Sequence, residues 1–127
     1  VRLLLDTHAF MFAFDSPQNL SRTAREVIED PFVERYVSVL SLAEIAVKIQ
    51  IGKLDMPSER GYYVNQLSAL SARALPIETA HAFELFHLPL HHRDPFDRML
   101  IAQAKADGLT IITRDRIFSA YDVPVLW

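Results

Sequence analysis

Cysteine is absent from this 127-residue chain. Disulfides, thiol nucleophiles and cysteine metal ligands are therefore excluded, and a reducing, cytoplasmic setting is the expectation. Long apolar runs are also lacking. Nothing approaches the ~18 residues of a membrane span, and the run at Leu3–Leu5 stops at Asp6, so no secretory leader is expected from this start. A basic surplus is missing too: 13 Lys and Arg stand against 16 Asp and Glu, a net charge of −3. That does not suggest a broad basic face for nucleic acid, and it leaves room for a local basic patch and for a focused acidic pocket that a cation would neutralise. Repeats, low-complexity tracts and linkers are absent, and the loop-like stretches at Asp15–Gln18 and Asp55–Gly61 are too short to separate domains. With 50% hydrophobic and 23% charged residues the chain is globular, and residues 1–127 are expected to form a single domain.

What is present alternates. Arg2–Leu5 reads as a buried strand, followed by a helical stretch over Thr7–Phe14 that Ser16-Pro17 breaks. Ser21 caps a helix to about Glu29, and Tyr36–Leu40 is the next strand. Ser41 with Glu44 has capping-box spacing for a helix that stops at Gly52. A helical segment spans roughly Glu59–Arg73, a weak edge strand follows at Ala74–Ile77, and Thr79–Phe86 is helical. Asp94-Pro95 opens a helix to Asp107-Gly108, Leu109–Thr113 is a strong strand, and Val123–Leu126 is a last one. Mostly apolar strands separated by helices predict a three-layer α/β/α domain around a parallel sheet of four or five strands.

In such sheets function gathers at the carboxyl edge. Asp6 directly follows the first strand, and Asp115 lies just past the strand at 109–113. Glu44 falls in the first turn after the second strand, and Asp97 in the first turn of the helix opened by Asp94-Pro95. Each has an ordinary structural role open to it. Asp6 can cap its helix, Glu44 can pair with Ser41 or Lys48, Asp97 can serve a helix dipole, and Asp115 can make a turn. One carboxylate at each of four separate strand ends or helix starts is hard to explain by independent capping. Grouped carboxylates repel and need a counter-charge. All-oxygen ligands favour Mg2+ or Mn2+ over zinc.

The segments LLLDTHAF (3–10), SVLSLAEIAVKIQIGKL (38–54), HHRDPFDRMLIAQA (91–104), LTIITRD (109–115) and YDVPVLW (121–127) carry a further reading. In this order and spacing, over essentially the whole chain, they resemble the PIN-domain ribonucleases, and among them the VapC-type toxins of bacterial toxin–antitoxin pairs. The resemblance implies a PIN-like fold and Mg2+- or Mn2+-dependent hydrolysis of RNA phosphodiester bonds. By position, Asp6, Glu44, Asp97 and Asp115 match the family's acidic residues in order. Asp6 and Asp97 are expected to contact metal, while Glu44 and Asp115 ligate it or orient water. Thr113 matches a supporting hydroxyl. Asp94 is expected behind the ligands, chiefly as a helix cap. The expected partners are an RNA substrate, a VapB-like antitoxin and a second copy of the chain in a homodimer.

An acidic pocket repels RNA unless its rim attracts it. Arg93, Arg98 and Arg114 are the expected phosphate contacts, Arg114 foremost, with Arg116, Lys48 and Lys53 nearby. His91 and His92 read as loop, and His81 and His87 as ordinary helix residues, while His8 lies two residues from Asp6. The helix positions Phe10, Phe12, Phe14, Ile45, Val47, Ile49 and Ile51 exceed what one core face needs, leaving some for a homodimer surface or antitoxin groove. Two rival functions stand beside this reading. A haloacid-dehalogenase-like phosphatase also opens on an apolar strand ending in Asp, but wants a second Asp where His8 stands. A non-catalytic PIN-like binding module would retain the fold alone.

Overall fold

Leu3, Leu4 and Leu5 are all fully buried, which a strand achieves only when both faces of its sheet are covered. The computed structural model describes residues 1–127. They form β1 (Arg2–Leu5), α1 (Thr7–Asp15), α2 (Arg22–Glu29), β2 (Glu34–Ser38), α3 (Val39–Gln50), α4 (Arg60–Ala69), β3 (Ala72–Leu75), α5 (Thr79–Leu85), α6 (Pro95–Asp107), β4 (Thr110–Ile112) and β5 (Val125–Leu126). Short 3-10 turns occupy Pro17–Asn19 and Arg116–Ala120. The sheet has five strands, ordered β3-β2-β1-β4-β5, and every pairing is parallel.

Strand periodicity divides the core. Leu3 and Leu5 face one way, packing with Phe10 of α1, Ala24 and Ile28 of α2, and Ile45 of α3. Leu4 faces the other way, against Leu100, Ile101 and Ala104 of α6 and Phe118. The result is the expected α/β/α sandwich.

Several element ends differ from the local sequence preferences. β2 spans Glu34–Ser38 rather than Tyr36–Leu40, because Ser38 Oγ accepts from the Leu40 N–H and turns Val39 and Leu40 into the first turn of α3. The capping-box expectation at Ser41 and Glu44 therefore fails: Ser38 is the cap, and Ser41 is buried inside the helix. α4 ends at Ala69, where Ser71 turns back at φ 51°, and β3 runs over Ala72–Leu75 instead of 74–77. Its pairing with β2, Arg35 opposite Ala72, ends before Pro76, which has no N–H to continue a ladder. α6 starts and stops as its sequence suggests, with Pro95 in the first turn and Gly108 at φ 67° beyond its end.

Strand register, more than strand length, sets the composition of the carboxyl edge. Leu5 pairs with Val37 on one side and Ile112 on the other. The Asp6 N–H continues that ladder to the Ile112 carbonyl at 3.0 Å. The next residues along the three strands are Ser38, Asp6 and Thr113, which form a row at the carboxyl edge. This edge includes the point where chain order reverses, β1 being flanked by β2 and β4.

Leu4 is the central residue of the α6-facing layer, so its truncation tests how far that layer holds the sheet. Leu4→Ala is expected to cost about 2–5 kcal/mol of folding free energy, measured by urea unfolding.

Candidate metal-binding and catalytic site

Above the Ser38–Asp6–Thr113 row lies an open cleft of about 630 Å³. Its walls include Asp6, Thr7, Glu44, Lys48, Asp94, Asp97, Arg114, Asp115 and Arg116. The four expected acidic residues thus share one cleft, each delivered by a different element.

Three aspartates also cap. Asp6 Oδ1 accepts from the Ala9 N–H at 2.8 Å, and Asp115 Oδ1 from the Ile117 N–H at 3.1 Å. Asp94 Oδ1 accepts from the N–H groups of Phe96 at 2.9 Å and Asp97 at 3.0 Å. A carboxylate has two oxygens, so capping through Oδ1 leaves Oδ2 of each aspartate free to accept. Asp97 is not a cap; it stands in the first turn that Asp94 starts. Thr113, almost wholly buried, stands between two of these groups: its hydroxyl accepts from the Asp115 N–H at 3.1 Å, and its polarity favours the ionised Asp6 carboxylate.

Glu44 is held on both oxygens. Thr7 Oγ1 donates to Oε1 at 2.7 Å, and Lys48 Nζ sits 3.0 Å from Oε2. The Thr7 hydroxyl is also hydrogen-bonded to Ser41 Oγ at 3.0 Å, tying α1 to α3. Thr7 carried no signal beyond standing next to Asp6. Only the approach of α1 to α3 reveals its role.

The basic rim divides. Arg114 and Arg116 are exposed on the cleft wall, and Arg114 lies 4.9 Å above the Phe12 ring, a cation–π contact that orients it. Arg93 is exposed but outside the cleft lining. Arg98 corrects the sequence reading. Its guanidinium donates to the carbonyls of Leu88, Pro89 and His92 and to the Tyr121 hydroxyl, so it fastens the 88–92 loop and does not reach the cleft. His92 lies in the loop, as read, but its side chain reaches the site: Nε2 lies 3.3 Å from Asp97 Oδ2 and Nδ1 2.7 Å from Tyr121 Oη. Its sole sequence cue is its place five residues before Asp97.

Electrostatics shows that the carboxylates crowd one another. Burial raises the Asp6 carboxyl above its usual range, the Asp115 charge adds to this, and hydrogen bonds from Thr113 and Ala9 partly offset it. Burial also pushes Asp97 up to about 6, reinforced by the Asp94 and Asp115 charges and opposed by His92. Two groups that resist ionisation beside a third negative charge fit a site completed by a cation. All the acidic donors are oxygen, which suits Mg2+ or Mn2+. No three acidic or histidine side chains close on one point as a cage.

The family model described as PIN domain matches residues 3–124. No curated protein is significantly similar in sequence. Among solved structures, the chain resembles one in VapBC2 from Rickettsia felis bound to a promoter DNA fragment, with TM-score 0.74 and 12% identity, covering 99% of this chain and 98% of that one. It also resembles chains in FitAcB from Neisseria gonorrhoeae, with TM-score 0.64, 22% identity and coverage of 98% and 96%, and in VapBC-5 of Mycobacterium tuberculosis, a member of the VapBC family of toxin–antitoxin systems, with TM-score 0.61, 22% identity and coverage of 98% and 95%.

The raised Asp97 sets a stability test. The folded chain keeps its proton to about pH 6, while the unfolded chain releases it near the ordinary carboxylate value. Between these values the folded state binds more protons, so its stability falls as pH rises through that window. Without added metal, Asp97→Asn is expected to flatten this dependence and to raise stability at pH 7 by on the order of 1 kcal/mol, less than a fully buried group would give. Thermal unfolding of both proteins between pH 4 and pH 7 checks it.

Proposed function

The chain belongs to the PIN domain family, and we propose that it is a Mg2+- or Mn2+-dependent endoribonuclease, the toxin of a toxin–antitoxin pair. The observation that carries this reading is the meeting of Asp6, Glu44, Asp97 and Asp115 in one cleft whose rim holds Arg114, Arg116 and Lys48.

In this reading Asp6 and Asp97 hold the metal, and Glu44 and Asp115 complete the acidic set. Bound Mg2+ or Mn2+ supplies Lewis acidity, which activates water and neutralises charge on a phosphate. The chain's own contribution is positioning. Thr113 holds the Asp115 backbone, and the helix caps fix Asp6 and Asp115 against their own backbones. Thr7 and Lys48 keep Glu44 turned into the cleft. Arg114, oriented by Phe12, offers a planar donor fork to an RNA phosphate at the mouth. Arg116 adds charge, and Arg98 is left out of the RNA surface.

The similar VapBC structures, one described as a toxin–antitoxin system member, support a VapB-like antitoxin as partner. The surplus apolar residues of α3 agree. Ile45 and Ile49 line an apolar groove of about 300 Å³ between α3 and α4, and Val47 is exposed on α3 outside that lining. An amphipathic antitoxin segment fits such a groove. A homodimer belongs to the same reading.

Incubation of structured RNAs with the purified chain and Mn2+ is the direct test. Asp6→Asn and Asp97→Asn are each expected to lower cleavage by at least about 100-fold while unfolding cooperatively like the parent. Unchanged cleavage in both variants would sink the assignment. A trapped aspartyl-phosphate on Asp6 would favour a phosphatase instead.

The rim gives a second test. Arg114→Ala is expected to raise KM and to reduce the salt dependence of RNA binding by about one phosphate contact. Arg98→Ala is expected to lower the unfolding midpoint and leave the salt dependence unchanged.

A further inference from the structure

Tyr121 stands almost wholly buried beneath the start of α6, and its hydroxyl is the centre of a small polar network. Two donors point at the Tyr121 oxygen: the His92 backbone N–H at 3.2 Å and Arg98 Nη1 at 3.1 Å. A phenol oxygen offers limited accepting capacity, and these two donors use it. The remaining neighbour at hydrogen-bond distance is His92 Nδ1, 2.7 Å away. The Tyr121 proton therefore goes to Nδ1, which must be bare to receive it. A neutral imidazole with a bare Nδ1 carries its proton on Nε2, the nitrogen facing Asp97 Oδ2 at 3.3 Å.

We propose that His92 is a positioning residue for the metal site: Tyr121 and Arg98 lock it as the Nε2–H tautomer, and it orients the Asp97 carboxylate by donating to Oδ2. This rests on the metal-dependent reading of the cleft and adds a device to it. The arrangement extends Asp97 inward through His92 to Tyr121 and Arg98. Arg98 in turn is braced on the carbonyls of Leu88, Pro89 and His92. The His91 ring packs edge-on against Tyr121, with centroids 4.8 Å apart, closing the other side of the phenol. A loop of three carbonyls, an arginine and a buried tyrosine thus aims one carboxylate. Supporting groups of this kind typically change metal affinity by about 10–100-fold when removed.

The test uses the full-length chain and Mn2+ as the probe, with affinity read by calorimetry and the His92 ring by long-range 1H–15N NMR. The wild type is expected to show a protonated Nε2 and a bare Nδ1. His92→Phe is expected to weaken Mn2+ binding about tenfold or more. His92→Gln, which keeps a donor near the Nε2 position, is expected to stay within about threefold of the wild type. Tyr121→Phe should weaken Mn2+ binding and remove the tautomer preference. A protonated Nδ1 in the wild type overturns the proposal, and needs no variant. So does an unchanged Mn2+ affinity in His92→Phe, or equal losses in His92→Gln and His92→Phe, since a purely packing role would not distinguish a donor from a ring. If the wild type neither binds Mn2+ nor cuts RNA, the metal reading itself fails and this role fails with it. That failure appears in the parent protein, whereas failure of the His92 inference appears in the ring tautomer or in the variants.

Discussion

The parallel register that β1 keeps with β2 and β4 is the constraint on which the rest depends. Leu5 pairs with Val37 and with Ile112, so the strands release Ser38, Asp6 and Thr113 side by side. A parallel strand shifted by one residue would turn each side chain to the opposite face. Asp6 would then leave the edge, and Thr113 would no longer reach it. The register is itself held by alternate burial: Leu3 and Leu5 belong to one apolar layer and Leu4 to the other. The hydrophobic core and the cleft are therefore set by the same pairing.

Economy of oxygen atoms is the second theme. Asp6 and Asp115 each satisfy a backbone N–H at the start of a helical turn while standing in the cleft. Capping and site-forming are compatible because a carboxylate accepts on two oxygens. Asp94 and Asp97 divide the work differently. Asp94 spends Oδ1 on two backbone N–H groups, and the turn it starts presents Asp97 free of capping duty. The cost is electrostatic. Burial and neighbouring negative charge push the carboxyls of Asp6 and Asp97 toward their protonated forms. A divalent cation would relieve both, so the folded chain is strained in the direction that a metal would correct.

Side chains at the rim show how one residue type takes opposite roles. Arg114 follows β4 into the open and is braced by an aromatic ring, while Arg98, one residue after Asp97, turns back to bind carbonyls of the preceding loop. Nothing in the local sequence separates them, since both are arginines beside an aspartate. His92 and Thr7 make the same point. Each lies near an acidic residue in the chain, but each acquires its partner, Asp97 or Glu44, through the packing of loop on helix or helix on helix.

Legibility follows the range of the forces involved. Apolar runs, caps at Ser21 and Asp94, Pro95 at the start of α6 and Gly108 after its end act over a few residues, and they sufficed for the order of elements and the layered class. The acidic positions were legible because strand ends and helix starts can be read locally and must gather at one edge of a parallel sheet. Boundaries slipped where two local preferences competed, as at Ser38–Ser41, where a serine cap overrode two β-forming residues. The sequence alone thus determined the alternation of strands and helices and which carboxylates stand at their junctions. Only the tertiary structure decided the strand order, the commitment of Arg98 to a loop and the alignment of His92 with Asp97 and Tyr121. Those depend on hydrogen bonds between residues far apart in the chain, whose partners are unknown until the sheet and its two helical layers have closed.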